Sequence, residues 1–203
     1  MKPQTQSDQG KTVPGLRERK KAKTKAAIQR EAVRLFREQG YSATTIEQIA
    51  EAAEVAPSTV FRYFATKQDL VFSHDYDLPF AMMFQAQSPD LTPIQAERQA
   101  IRSMLQDIPA QELALQRERF VLILSEPELW GASLGNIGRT MELMGEQVAK
   151  RSGRDPRDPA VRAYTGAVFG VMLQISMDWA NDPEMDFATT LDEALHCLED
   201  LRP

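Results

Sequence analysis

Residues 55–70 read VAPSTVFRYFATKQDL. This short stretch brings together Pro57, two small hydroxyl residues (Ser58 and Thr59), Phe61, Arg62, Tyr63, Phe64 and Lys67. Its side chains suit recognition rather than bond-making, because hydroxyl, guanidinium, phenol and ammonium groups all donate to oxygen acceptors. A helix entering the major groove needs small residues at its leading end, so that backbone and hydroxyls can approach phosphates and base edges. Pro57, Ser58 and Thr59 meet that need. Val60 and Phe64, one turn apart, would face inward and seat the helix on a scaffold, while Phe61, Arg62 and Tyr63 flank the groove. Lys67 falls in the first turn of the next predicted helix, where ammonium and backbone N–H groups can meet one phosphate. The same residues also fit a small three-helix core with aromatic filling, in which Lys67 is merely solvated.

Catalytic chemistry finds little support. His74 and His196 are far apart, and the chain contains no H-E-x-x-H, C-x-x-C, P-loop or G-x-G-x-x-G pattern. The lone Cys197 excludes an intrachain disulfide and a cysteine zinc cluster, fits a reducing compartment, and is expected as a small buried filler. No enzyme activity, metal or cofactor is expected.

The elements that must position these residues are helical. Ile28, Ala32, Leu35 and Phe36 lie on one face of a helix that Gly40 ends. Ile46, Ile49, Ala50 and Ala53 mark a second, capped by Thr44 or Thr45 with Glu47 or Gln48 closing a capping box. Pro57 suits the first position of a third helix, which runs to about Phe64. Thr66 can cap a fourth beginning near Lys67, with Pro79 kinking or ending it. Helices follow at about 92–106, 110–124, 127–151, 159–180 and 187–201, giving nine in all, with no strand alternation. The first stretch, about 1–16, reads as a disordered leader. No stretch approaches the ~20 uninterrupted apolar residues of a membrane span, and the expected location is cytoplasmic.

Charge is unevenly spread. The net charge of −5 argues against a polyanionic partner, yet residues 1–71 hold 13 Lys/Arg and 8 Asp/Glu, a net of +5, and 72–203 hold 11 and 21, a net of −10. Such asymmetry implies a basic reading head on an acidic body, although a solvated basic tail would have the same composition.

Residues 24–70 closely resemble the DNA-binding domain of the tetracycline-repressor (TetR) family. The resemblance rests on A-x-x-L-F-x-x-x-G-Y at 32–41, T-T-I-x-x-I-A at 44–50 and V-x-x-x-T-V-F-x-Y-F-x-x-K-x-x-L at 55–70, in order and spacing. It implies an all-α homodimer, with a helix-turn-helix domain at 17–71 and a helical ligand-binding and dimerisation domain at 72–203. It further implies a repressor released from a palindromic DNA operator by a small molecule. Carried over, Thr45, Ser58, Thr59, Arg62, Tyr63 and Lys67 become candidate DNA contacts, with bases read by Pro57, Ser58 and Arg62. Three departures stand out. Glu54 occupies a turn position where the family usually has glycine, Ala56 replaces a serine cap, and Phe61 replaces a phosphate-donating tyrosine.

Beyond the resemblance, the acidic body concentrates methionine and aromatic residues, which suit a pocket for an apolar or amphipathic ligand as well as a plain core. The candidate lining is Met83, Met104, Phe120, Leu124, Trp130, Met141, Met144, Phe169 and Met172. Arg117, Arg119, Asn136 or Gln174 could orient a polar end, although the two arginines read more readily as surface residues. Small residues at Ala163, Gly166, Ala167 and Gly170 allow close helix approach, and the resemblance implies that with Leu191, Leu195, Leu198 and Leu201 they form a four-helix dimer interface, although they could also pack within the chain. Two other readings stay open on the sequence: an activator or global regulator on this fold, and a helical ligand-binding or enzymatic protein with a purely structural head.

Overall fold

The computed structural model describes residues 15–72 and 77–200. Within them run nine α-helices and one 3₁₀ turn: α1 (Leu16–Gln39), α2 (Ile46–Ala52), α3 (Pro57–Tyr63), the turn Gln68–Leu70, α4 (Asp77–Ala86), α5 (Pro93–Gln106), α6 (Ala110–Ser125), α7 (Pro127–Ser152), α8 (Pro159–Asn181) and α9 (Phe187–Asp200). The chain is all-α, as its periodicity predicts. Residues 1–14 of the expected leader, His74 and Leu201 lie outside the described residues.

Local signals set the boundaries. Gly40, at φ 89°, ends α1. The Thr45 hydroxyl accepts from the Gln48 N–H while the Gln48 side chain accepts from the Thr45 N–H, so Thr45 caps α2. Thr92 and Gln95 repeat this box on α5, and Gly153, left-handed at φ 65°, closes α7. The region after α3 differs from the sequence expectation. Thr66 and Asp69 form a reciprocal cap, but over a single 3₁₀ turn. The described part of the fourth α-helix is Asp77–Ala86, and it runs through Pro79 instead of ending there.

Packing divides the interior into linked cores. The first joins Ile28, Ala32, Val33 and Phe36 of α1 to Tyr41, Ile49, Val60, Phe64 and Leu70, and it is completed by Leu122 of α6 and Leu129 of α7. The head therefore shares its core with the body. A second core gathers Phe84, Ala96, Val148 and Val161, and a third gathers Ile94, Ile101, Met144, Val168, Leu191 and Leu195. The leucine stripe of α9 consequently faces inward, with Leu191 2% and Leu195 0% exposed. It packs within the chain, because α5 and α8 already cover it. Arg98 donates to both carboxylate oxygens of Asp192 at 3.0 Å, which pins α5 to α9 and holds the Asp192 carboxyl below its usual range. Arg151 gathers the α4–α5 connection by donating to the carbonyls of Phe84, Gln87, Ser88 and Leu91.

Candidate nucleic-acid interface and ligand cavity

The helix-turn-helix is built from α2, a tight turn and α3. Ala53 ends α2, and Glu54 carries the turn at φ 54°, left-handed for a residue with a side chain. The sequence departure at this position therefore holds a conformation that favours glycine. Ala56 is the N-cap of α3 and makes no side-chain cap bond, and Pro57 takes the first position. Val60 is fully buried and Phe64 is 4% exposed, so both anchor α3 from beneath. Pro57, Ser58, Phe61 and Arg62 are exposed, while Thr59 and Tyr63 are half-buried. The Arg62 guanidinium lies over the Tyr63 ring, 5.3 Å from its centroid, a cation–π contact. Thr45 is exposed at the neighbouring end of α2, although its hydroxyl is already engaged as a cap.

Lys67 is held more tightly than its sequence suggests. Its ammonium donates to the Tyr41 carbonyl and sits 4.3 Å from the Tyr41 ring centroid and 5.6 Å from that of Phe36. Burial lowers its pKa, and the charges of Glu128 and Glu126 partly oppose this. One donor is thus spent inside the head, leaving the others for an anion. Tyr41 itself is 1% exposed, and burial pushes its phenol up to about 12. Across this rim, Gln68 donates to Glu128 of α7 at 3.2 Å, and Arg37 of α1 meets Glu118 of α6 at 2.5 Å.

Beneath the head, the body carries two adjoining, partly open cavities of about 270 and 300 Å³ that share Asp77, Gln116, Phe120 and Thr140 in their walls. The lobe nearer the head mixes polar and apolar walls, with Arg119, Ser133 and Asn136 alongside Ile123, Trp130 and Phe169. The other is oily, walled by Phe80, Ile101, Met104, Met144, Met172, Trp179 and Phe187. Of the candidate lining residues, Met104, Phe120, Trp130, Met144, Phe169 and Met172 reach these walls. Three do not. Met83 packs beside the Phe84 core, Leu124 is half-buried on α6 away from both lobes, and Met141 lines a separate groove with Glu142 and Arg157.

The polar candidates are also redistributed. Arg119, read as a surface residue, is 3% exposed and lines the cavity. Arg117 instead caps α8 by donating to the carbonyls of Trp179 and Ala180 at 2.8 and 2.6 Å. Gln174 is exposed and bonds Asp178. Cys197, expected as buried filler, is exposed. Gln116, Ser133, Thr140 and Ser176 escaped the sequence reading. Their signal was spacing: Gln116, Phe120 and Ile123 share a face of α6, and Ser133, Ile137, Thr140 and Met144 share one of α7. No helix among the described residues is long and apolar enough to cross a membrane, and no group of metal-ligating side chains occurs among them.

Comparison with known proteins follows the same division of the chain. A family profile described as "Bacterial regulatory proteins, tetR family" matches residues 28–73, and one described as "MftR C-terminal domain" matches residues 91–203. The chain is 32% identical over 198 residues to the HTH-type transcriptional regulator TcmR of Streptomyces glaucescens, a match that spans 94% of this chain and 88% of that protein. NalD, the secondary repressor of the MexAB-OprM multidrug efflux pump in Pseudomonas aeruginosa, superimposes with a TM-score of 0.60 at 25% identity, covering 90% of this chain and 96% of that one. Thermus thermophilus FadR, a repressor solved with lauroyl-CoA, has the same fold, with a TM-score of 0.52 at 23% identity over 88% of this chain and 95% of that one.

Proposed function

Because this chain belongs to the TetR family of DNA-binding transcriptional regulators, we propose that it acts as a cytoplasmic homodimeric repressor, freed from a palindromic operator when a small amphipathic molecule fills the body. Residues 17–71 serve as the reading unit and 72–203 as the sensing and dimerising unit. Pro57, Ser58 and Arg62, exposed along α3, read base edges. Thr45, Thr59, Tyr63 and Lys67 position the head on phosphates. A repressing role is supported by the likeness to NalD, itself a repressor.

The observation that carries the release step is the double role of the α6–α7 corner. Leu122 and Leu129 are buried in the head core, whereas Ile123 and Trp130, each the next residue along, line the cavity. Ile123 also packs against the head core itself. A ligand that displaces Ile123 or Phe120 must therefore move α6, and α6 carries α1 with it through Leu122 and the Arg37–Glu118 pair. Two recognition helices fit successive major grooves only when about 34 Å apart, so a small change in head separation weakens DNA binding steeply. The two-lobed cavity supports a ligand with one oily end, beside Met104, Met144 and Met172, and one hydrogen-bonding end, beside Arg119, Asn136 and Thr140.

Dimerisation is supported by α8. Ala163, Ala167 and Gly170 are exposed, and a Cβ added to Gly166 or Gly170 would meet nothing within 4 Å. Packing within one chain gives no reason for glycine there, whereas close approach of a second α8 does. The proposal is tested by measuring transcription from the promoter beside its own gene, with and without the gene, together with retention of that promoter DNA at moderate salt. Derepression on deletion and ligand-sensitive retention are expected. Unchanged transcription with no retention would overturn the reading.

A further inference from the structure

The first two turns of α1, residues 16–23, are exposed along their whole length and pack against nothing among the described residues. α1 begins at Leu16, but its first buried residue is Ile28, which is also the first residue matched by the family profile. The preceding three turns carry Arg17, Arg19, Lys20, Lys21, Lys23 and Lys25 against the single carboxylate of Glu18. Farther along the same helix the basic residues are neutralised: Arg30 lies 3.7 Å from Glu31, Arg34 pairs with Glu31 and Glu38 at 2.8 and 2.6 Å, and Arg37 pairs with Glu118. Arg17, Arg19, Lys20, Lys21 and Lys23 are exposed and have no ion-pair partner among the described residues. A polar helix of this kind gains no packing stability, and its unneutralised charge suits a polyanion.

Its placement names the polyanion. The Lys25 ammonium lies 5.9 Å from the ring centroid of Phe64, the residue that closes α3. The helix therefore leaves the head beside the trailing end of the recognition helix. Lys21 and Arg17 stand one and two turns before Lys25 on the same side, with Lys20 beside them, while Arg19 and Lys23 point the other way. At 1.5 Å per residue, Arg17 lies about 12 Å beyond Lys25. That is roughly three to four base steps at 3.4 Å each.

Building on the DNA-binding reading above, we propose that Arg17, Lys20 and Lys21 form a second DNA-contacting element, which grips backbone phosphates outside the half-site read by α3. It adds affinity without base preference and lengthens the protected site at both outer edges.

The test uses the full-length chain on a duplex selected from a random-sequence library and on a shuffled duplex of equal length. For R17A/K20A/K21A, affinity for both duplexes should fall roughly tenfold or more at 0.15 M salt, and the slope of log K against log salt should shrink by roughly 0.9 for each phosphate no longer neutralised. The hydroxyl-radical footprint should retreat by about three base pairs at each outer edge, with discrimination between the duplexes unchanged. R19A/K23A, checked alongside for helix content by circular dichroism, should lose less per charge removed and keep the full footprint. An unchanged slope and footprint in the triple variant, or equal loss per charge in both variants, would overturn the proposal while leaving the DNA-binding reading intact. Loss of phosphatidylglycerol-vesicle binding by the triple variant, with DNA binding untouched, would reassign the element to membranes. An unaltered chain that cannot tell the two duplexes apart would instead overturn the reading beneath.

Discussion

The residues of the proposed reading face divide by what already holds them. Arg62 is exposed and lies over the Tyr63 ring, and its donors meet no acceptor among the described residues. Lys67 is part-buried and tied to the Tyr41 carbonyl. Arg62→Ala should therefore cost about 1–3 kcal/mol at one base pair per half-site. Tyr63→Ala should reproduce part of that loss by freeing the guanidinium. Lys67→Ala should weaken binding to every sequence alike. Affinities for an operator library at several salt concentrations check both, and uniform loss for Arg62→Ala would mean the reader lies elsewhere. Away from the DNA face, Glu97 is buried against Tyr164, whose hydroxyl donates to it at 2.5 Å, and burial raises its pKa from 4.5 to about 7. The folded state then binds more protons at Glu97 than the unfolded between those values, so the contribution of this group to stability is fullest below pH 4.5 and falls as pH rises towards 7. Glu97→Gln keeps an acceptor for Tyr164 and removes the charge. It should raise the melting temperature at pH 8 and change it little at pH 4.5, and a melting series across that range checks the difference.

The elements show which kinds of information one chain carries about itself. Gly40, a capping box at the start of α2 and Pro57 were legible because each depends on a few adjacent residues and a fixed backbone geometry, whereas the strained turn at Glu54 was legible only through the family resemblance. Faces were legible too, since Ile28, Ala32 and Phe36 do line one core. What the neighbouring element would be was not legible. The leucines of α9 have the spacing of an interface, yet α5 and α8 cover them within the chain. Arg117 reads as a solvated cation until the end of α8 arrives beside it. The cavity lining was half legible, because a methionine signals adaptable packing but not which side of a helix is left unfilled. The outer face of α8 now carries the dimer reading, and it can be tested there. Gly170→Arg has open space within its own chain, so the monomer should keep its helix content. Light scattering should show the mass falling from twice the 22.9 kDa chain to one chain, with operator binding lost. A persistent dimer would move the interface elsewhere.

At the scale of the whole molecule, the proposed sensing unit and the helix-turn-helix head share one interior, because the head core ends on Leu122 and Leu129 of the body. Filling the oily lobe by substitution should therefore separate the two activities. Met172→Trp should block the effector's entry while leaving operator affinity within about threefold, as read by thermal shift and by DNA retention with and without effector. If the variant still released DNA normally, the ligand would bind outside this lobe. The glycines of α8 have a wider consequence. Each costs a helix about 1 kcal/mol relative to alanine, with no return inside the single chain. In a homodimer, a partner's close approach would restore that stability, so folding would be tied to the abundance of the protein itself. Its melting temperature should then climb with concentration, and its promoter should respond to copy number along a curve steeper than simple occupancy. The regulator would report how much of itself the cell holds, as well as whether its effector is present.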